Sequence, residues 1–140
     1  MQGTRIMATI FVARSANLSQ WGSDVGLGKN LFKVGVCDGD PAPLLAEGFA
    51  GEKDWTLVKK QADVDVTEEE VLERLSKRQK RVDPTYYPRI KGETCLFKVT
   101  ETDVQRHIVL ARAMEGESER AAIKIKVADY ATYLISNALR

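Results

Sequence analysis

The sequence is poor in the side chains that most often bind metals or form disulfides. It has one histidine and two cysteines in 140 residues. That excludes a zinc module of the four-ligand kind and leaves almost no room for a disulfide scaffold. Cys37 and Cys95 have no metal or redox spacing, so each is expected to be reduced and buried. Neither sign of charge is in excess. Lys and Arg number 21 against 20 Asp and Glu, a formal charge of +1. A globally basic nucleic-acid coat and a polyanionic tail are both excluded. Long apolar runs are missing too. None approaches the roughly 20 residues of a membrane span. Met1–Arg5 is followed by no apolar stretch of secretory length, so a cytoplasmic location is expected. What remains is a globular composition, 44% hydrophobic and 29% charged, which argues against disorder and for a single domain over residues 1–140.

Ala8–Ala13 is β-rich and predicts a first strand. Ser15–Asn30 is polar and glycine-containing and predicts a long loop pinned by Trp21. Leu31–Cys37 predicts a second strand, apolar almost throughout, which would sit centrally with both faces covered. Gly35 inside it marks a bulge or a close backbone approach. Asp40 and Pro41 open a short helix over Leu44–Ala46 that stops at Gly48. Trp55–Val66 predicts a third strand. Thr67 and Glu70 form a capping-box pattern ahead of Val71, Leu72 and Leu75. Pro84 and Pro88 bracket Tyr86 and Tyr87 in an extended loop. Cys95–Val99 predicts a fourth strand, and Thr100–Met114 a helix. Glu117–Leu139 then predicts one long helix with two apolar stripes. The first contains Ile123, Val127, Tyr130 and Leu134, and the second Ile125, Ala128, Ile135 and Leu139. So wide an apolar face predicts a homodimer through this helix. The class is α+β: a small mixed or antiparallel sheet of three or four strands, flanked by helices, with its core over about residues 8–114.

Gly22–Asn30 has the glycines and lysine of a phosphate loop but fails its context. Five residues rather than four separate Gly22 from Gly28, Asn30 stands where Ser or Thr would hold magnesium, and the stretch leads into a strand. His107 has no second histidine or cysteine near it in sequence, and reads as a solvated or capped side chain. Asp63–Glu73 carries six acidic and no basic residues. Arg74–Lys91 carries seven basic residues and one acid, Asp83. Helix-dipole complementarity accounts for the acids at the start and the bases at the end of the intervening helix. It does not account for basic charge continuing past Tyr86 and Tyr87. Basic residues interleaved with aromatics make Lys77, Arg78, Lys80, Arg81, Arg89 and Lys91 a candidate surface for DNA or RNA.

Leu31-Phe-Lys-Val-Gly-Val36 resembles the second strand of the GIY-YIG nuclease superfamily, in the branch with Lys-Ile/Val-Gly as its second motif. Thr9-Ile10-Phe11 falls where that family has Gly-Ile-Tyr. The acidic helix Glu68–Leu75 and the segment Gly92-Glu93-Thr-Cys-Leu-Phe97 resemble its later elements. The similarity covers about Thr9–Ala113. It implies a phosphodiester-cleaving site with Lys33 near the scissile phosphate and magnesium, if the site is active, on Glu69 or Glu70, with Glu73 also a candidate. The family's tyrosine transfers a proton, whereas Phe11 stands at that position and has no hydroxyl. The family's arginine follows the second strand, whereas Asp40–Gly48 holds no arginine or lysine. The resemblance therefore implies a catalytically degenerate domain that binds nucleic acid or a protein partner. Two alternatives stay open: a divergent nuclease in which Arg14 replaces the arginine, and an unrelated dimeric α+β module.

Overall fold

The seven residues Leu31–Cys37 need cover on both faces, and the sheet is arranged to give it. The computed structural model describes residues 8–114 and 124–139. Among them are strands β1 (Ala8–Ser15), β2 (Leu31–Cys37), β3 (Trp55–Val64), β4 (Lys80–Arg81) and β5 (Leu96–Lys98). They form one sheet in the order β3-β1-β2-β5-β4 with every pairing antiparallel, so β2 is central. The helices are α1 (Ala16–Asp24), α2 (Ala42–Glu47), α3 (Glu68–Ser76), α4 (Glu101–Met114) and α5 (Val127–Ala138). A 3-10 turn spans Pro88–Ile90. The class is α+β.

Side chains alternate across a strand, so the sheet has two cores. Ile10, Val12, Phe32, Val34 and Phe97 face α3 and α5, where Val71, Leu75, Leu134 and Ile135 cover them. Phe11, Ala13, Leu31 and Leu96 face the other way, under Leu18 of α1, Leu45 of α2 and Trp55. Full burial of each large apolar side chain is worth about 1.5–3 kcal/mol. Gly35 is the close approach anticipated from the sequence. It pairs with Phe11 across β1 and β2, and a Cβ at position 35 would overlap the Phe11 ring.

Three expectations are corrected. The first concerns Ser15–Asn30, expected as a loop, which contains α1. Ser15 caps that helix, its Oγ accepting the Leu18 N–H at 3.1 Å. Asp54, at the threshold of β3, accepts a hydrogen bond from Ser15 Oγ and another from the Asn17 N–H at 2.9 Å. The helix is thus held from a distant part of the chain, which overrides its weak local propensity.

The second concerns the long helix expected over Glu117–Leu139. Lys124–Lys126 is not helical, and α5 begins at Val127, where Asp129 accepts the Lys126 N–H at 2.8 Å. The part of that expectation over residues 117–123 lies outside the described residues. Its second stripe closes within the chain: Ile135 is 3% exposed, and Ile125 and Leu139 pack partly against the same core. Only Ala128 of that stripe is exposed.

The third concerns strand number and bounds. The sheet has five strands, because the two-residue β4 pairs with β5, and β3 ends at Val64 rather than Val66. The short helix after β2 follows the sequence reading closely. Asp40 Oδ1 accepts the Ala42 N–H at 3.0 Å, and Gly48 closes the helix.

Candidate functional site

Two regions carry the chemistry. The first is a cleft of about 450 Å³ beside β2. Register places Lys33 opposite Ala13 on one side and Leu96 on the other, on the sheet face that also carries Phe11. The Lys33 side chain is 5% exposed. A buried ammonium is costly unless it is paired. Glu93 supplies the pair, with Oε1 2.5 Å from Lys33 Nζ. Glu68 Oε1 lies 3.9 Å from the same nitrogen, and the Phe49 ring centroid 4.8 Å from it. Glu93 is itself positioned, since Oε1 also accepts the Cys95 N–H at 3.3 Å. Burial pushes the Cys95 thiol up, against a smaller lowering by Lys33, so it stays protonated at neutral pH. Burial also raises Cys37, helped by Asp40 and Asp38. Both cysteines are free thiols.

Phe11, Lys33 and a glutamate from the acidic helix meet in one cleft, and the glutamate is none of the three expected from the sequence. The glutamate is Glu68. Glu70 is engaged in the capping box, where its Oε1 accepts the Thr67 N–H at 2.9 Å, and it also lies 3.6 Å from Arg74. Glu69 and Glu73 are exposed and line no part of the cleft. Among the described residues no three His, Cys, Asp or Glu side chains gather as a metal-binding group. A divalent ion here would have Glu68 and Glu93 as ligands and would meet the Lys33 ammonium already between them. Arg14 does not reach the cleft. It lines a separate recess with Asn30, Glu101 and Tyr130, on the α5 side of the sheet.

The second region is the β4 edge. Val82 is buried and donates its N–H to the Leu96 carbonyl at 2.9 Å, which anchors the strand end. The Asp83 carbonyl then accepts the N–H groups of Tyr86 and Tyr87, and Asp83 Oδ1 accepts the Thr85 N–H at 2.8 Å. This turn folds the two tyrosines back beside Lys80 and Arg81 around a recess of about 470 Å³. Tyr87 is fixed edge-on against Trp21 at 5.6 Å. Tyr86 is 80% exposed. Among the described residues, neither Lys80 nor Arg81 makes a side-chain hydrogen bond or ion pair.

The other basic candidates do not join this recess. Arg89 pairs with Glu52, donates to the Ala50 carbonyl at 2.9 Å and lies over Trp21. Lys91 stands beside Gly51. Arg78 donates to the Asn137 carbonyl at 3.0 Å, covering the end of α5. Lys77 is exposed at the end of α3. Sequence reasoning missed Glu68 as the cleft carboxylate and Glu93 as the lysine's partner. The signal for the first was available, because the capping box already commits Glu70 to the helix start. No family model, curated protein or solved structure matches the chain.

Proposed function

We propose that the chain is a catalytically degenerate GIY-YIG-like domain that binds single-stranded nucleic acid along its β4 edge. One observation carries the reading. Lys80 and Arg81, both without ion-pair partners among the described residues, stand beside a tyrosine that is 80% exposed. An exposed ring takes a base by stacking, and the cations take the phosphates that flank it. An unstacked base reaches such a ring more readily than a base held in a duplex, which favours single strands.

The cleft supports the degenerate half of the reading. Phe11 is 1% exposed and has no hydroxyl with which to move a proton. Lys33 is closed off by Glu93 rather than open to a phosphate. Arg14 is on the other side of the sheet. Losing a donor that stabilises transition-state charge costs ~10²–10³ in rate.

Fluorescence anisotropy with a labelled thymidine oligonucleotide tests binding. Affinity is expected to fall with salt, with a slope near −0.7 in log K per phosphate contact for single strands. The Lys80→Ala, Arg81→Ala pair is expected to flatten it. Unchanged affinity and slope in that variant would reduce the edge to a solvated strand. Incubation with plasmid and magnesium or manganese is expected to leave the plasmid intact. Cleavage that disappears in Glu68→Gln would restore the nuclease reading.

A further inference from the structure

A second groove of about 360 Å³ lies where the end of α3 meets α4 and α5. Asp103, Arg106, His107 and Leu110 of α4 line one wall, at the spacing of one helix face. Tyr133 and Asn137 of α5 form the other, and Arg78 closes the end. Two of these groups are well fixed. His107 packs edge-on against Tyr133 at 5.4 Å, and Tyr133 Oη accepts from Gln79 Nε2 at 2.6 Å. Leu110 remains 58% exposed at the mouth.

The groove continues the β4 edge. Gln79 is buried, and its neighbours Arg78 and Lys80 are exposed on either side of it. Two residues of extended chain span at most about 7 Å. Arg78 lines the groove and Lys80 lines the tyrosine recess, so two residue steps of backbone join the two. At the joint the buried Gln79 side chain donates to Tyr133 Oη of the groove wall.

The charge balance favours an anion. Asp103 is the one acid in the lining, and its Oδ1 is 3.4 Å from Arg106 in a pair whose arginine is exposed and whose carboxylate is half-buried. Ion pairs near the surface contribute little to stability, and a guanidinium also bonds phosphate oxygens in the same bidentate geometry. The carbonyls at the end of α5 would repel an anion, but Arg74 and Arg78 cover them through Ala138 and Asn137. Arg78 and Arg106 then remain as two cations facing one groove, with the His107 ring and Leu110 offering a surface for a base.

We infer that a single strand bound at the β4 edge runs on past Arg78 into this groove, where Arg106 takes a further phosphate. The inference rests on the binding reading above and extends the site beyond the basic segment to residues of α4.

Thymidine trinucleotide and dodecanucleotide probes separate the two. The trinucleotide covers the tyrosine recess alone. The dodecanucleotide also reaches the groove. Arg106→Ala is expected to weaken dodecanucleotide binding several-fold, to lower the salt slope by about 0.7, and to leave the trinucleotide unaffected. Arg106→Lys is expected to keep the slope, since a lysine keeps the charge. Tyr86→Ala is expected to weaken both probes. Loss in Tyr86→Ala with no change in Arg106→Ala overturns the inference and leaves the edge reading standing. No binding of either probe by the unmodified chain overturns both. If polyglutamate binds, depends on Arg106 and is not displaced by the dodecanucleotide, the groove belongs to an acidic protein partner and the inference is overturned.

Discussion

Lys33 and Lys80 stand two strands apart in the same sheet and have opposite fates. Lys33 is on the central strand, 4% exposed, with one carboxylate at 2.5 Å, another at 3.9 Å and a ring against it. Lys80 is on an edge strand, exposed, and its side chain has no hydrogen-bond or ion-pair partner among the described residues. A cation in the middle of a sheet is held in place by the partners that burial requires. A cation on an edge keeps strands of other chains from pairing and remains available to a ligand. The cleft is the more elaborate site, yet the edge is the more accessible one.

The sharpest way to break this comparison is to remove each lysine. Lys33→Ala leaves Glu93 largely buried and unpaired and is expected to cost about 3–5 kcal/mol, read from urea denaturation. Lys33→Met combined with Glu93→Gln is expected to recover much of that loss, because no uncompensated charge then remains. Lys80→Ala is expected to stay within about 0.5 kcal/mol of the parent. Equal losses at the two positions would erase the distinction.

Gly35→Ala tests the cleft floor. The new Cβ would overlap the Phe11 ring, and overpacking of this kind costs about 1–3 kcal/mol. Its expected signature is a lowered denaturation midpoint with oligonucleotide affinity unchanged. Tyr86→Ala inverts that pattern: binding weakens by about 1–3 kcal/mol for a stacked base, while stability holds. A drop in stability there would mean that the ring supports the fold.

The smallest effect concerns acid. Partial burial would raise the Asp54 carboxyl, but the Ser15 hydroxyl and the N–H groups of Asn17, Asp54 and Ala16 outweigh it and hold the group below its usual value. Its contribution is therefore present above about pH 4, near the unfolded value. It is lost as pH falls through the depressed folded value. Asp54→Asn is expected to flatten the acid limb of a stability–pH curve and to leave the region around Lys33 alone.

What the sequence disclosed was what neighbouring residues decide. Thr67 and Glu70 announce the start of α3, Asp40 and Pro41 that of α2, and the apolar run of β2 its central place. The features missed depend on distant parts of the chain. Helix α1 has only Leu18 and Trp21 as large apolar signals before its C-cap, and its fixing carboxylate comes from position 54. Strand β4 is too short for any periodicity. Arg89 cannot be told from Lys80 in sequence, because Glu52 and Trp21 engage it only after folding. The core position of Ile135 on the second stripe of α5 likewise depends on the rest of the fold and not on the stripe's spacing.

The Ser15–Asp54 contact also bears on which parts of the fold open together. The hydroxyl that caps α1 is oriented by a carboxylate 39 residues away, so the helix gains its full start only when β3 has docked on β1. The capped start of the helix and the docked strand are therefore thermodynamically coupled. In native-state hydrogen exchange, the α1 amides should open together with the first residues of β3 as one cooperative unit, rather than fraying singly from the helix end.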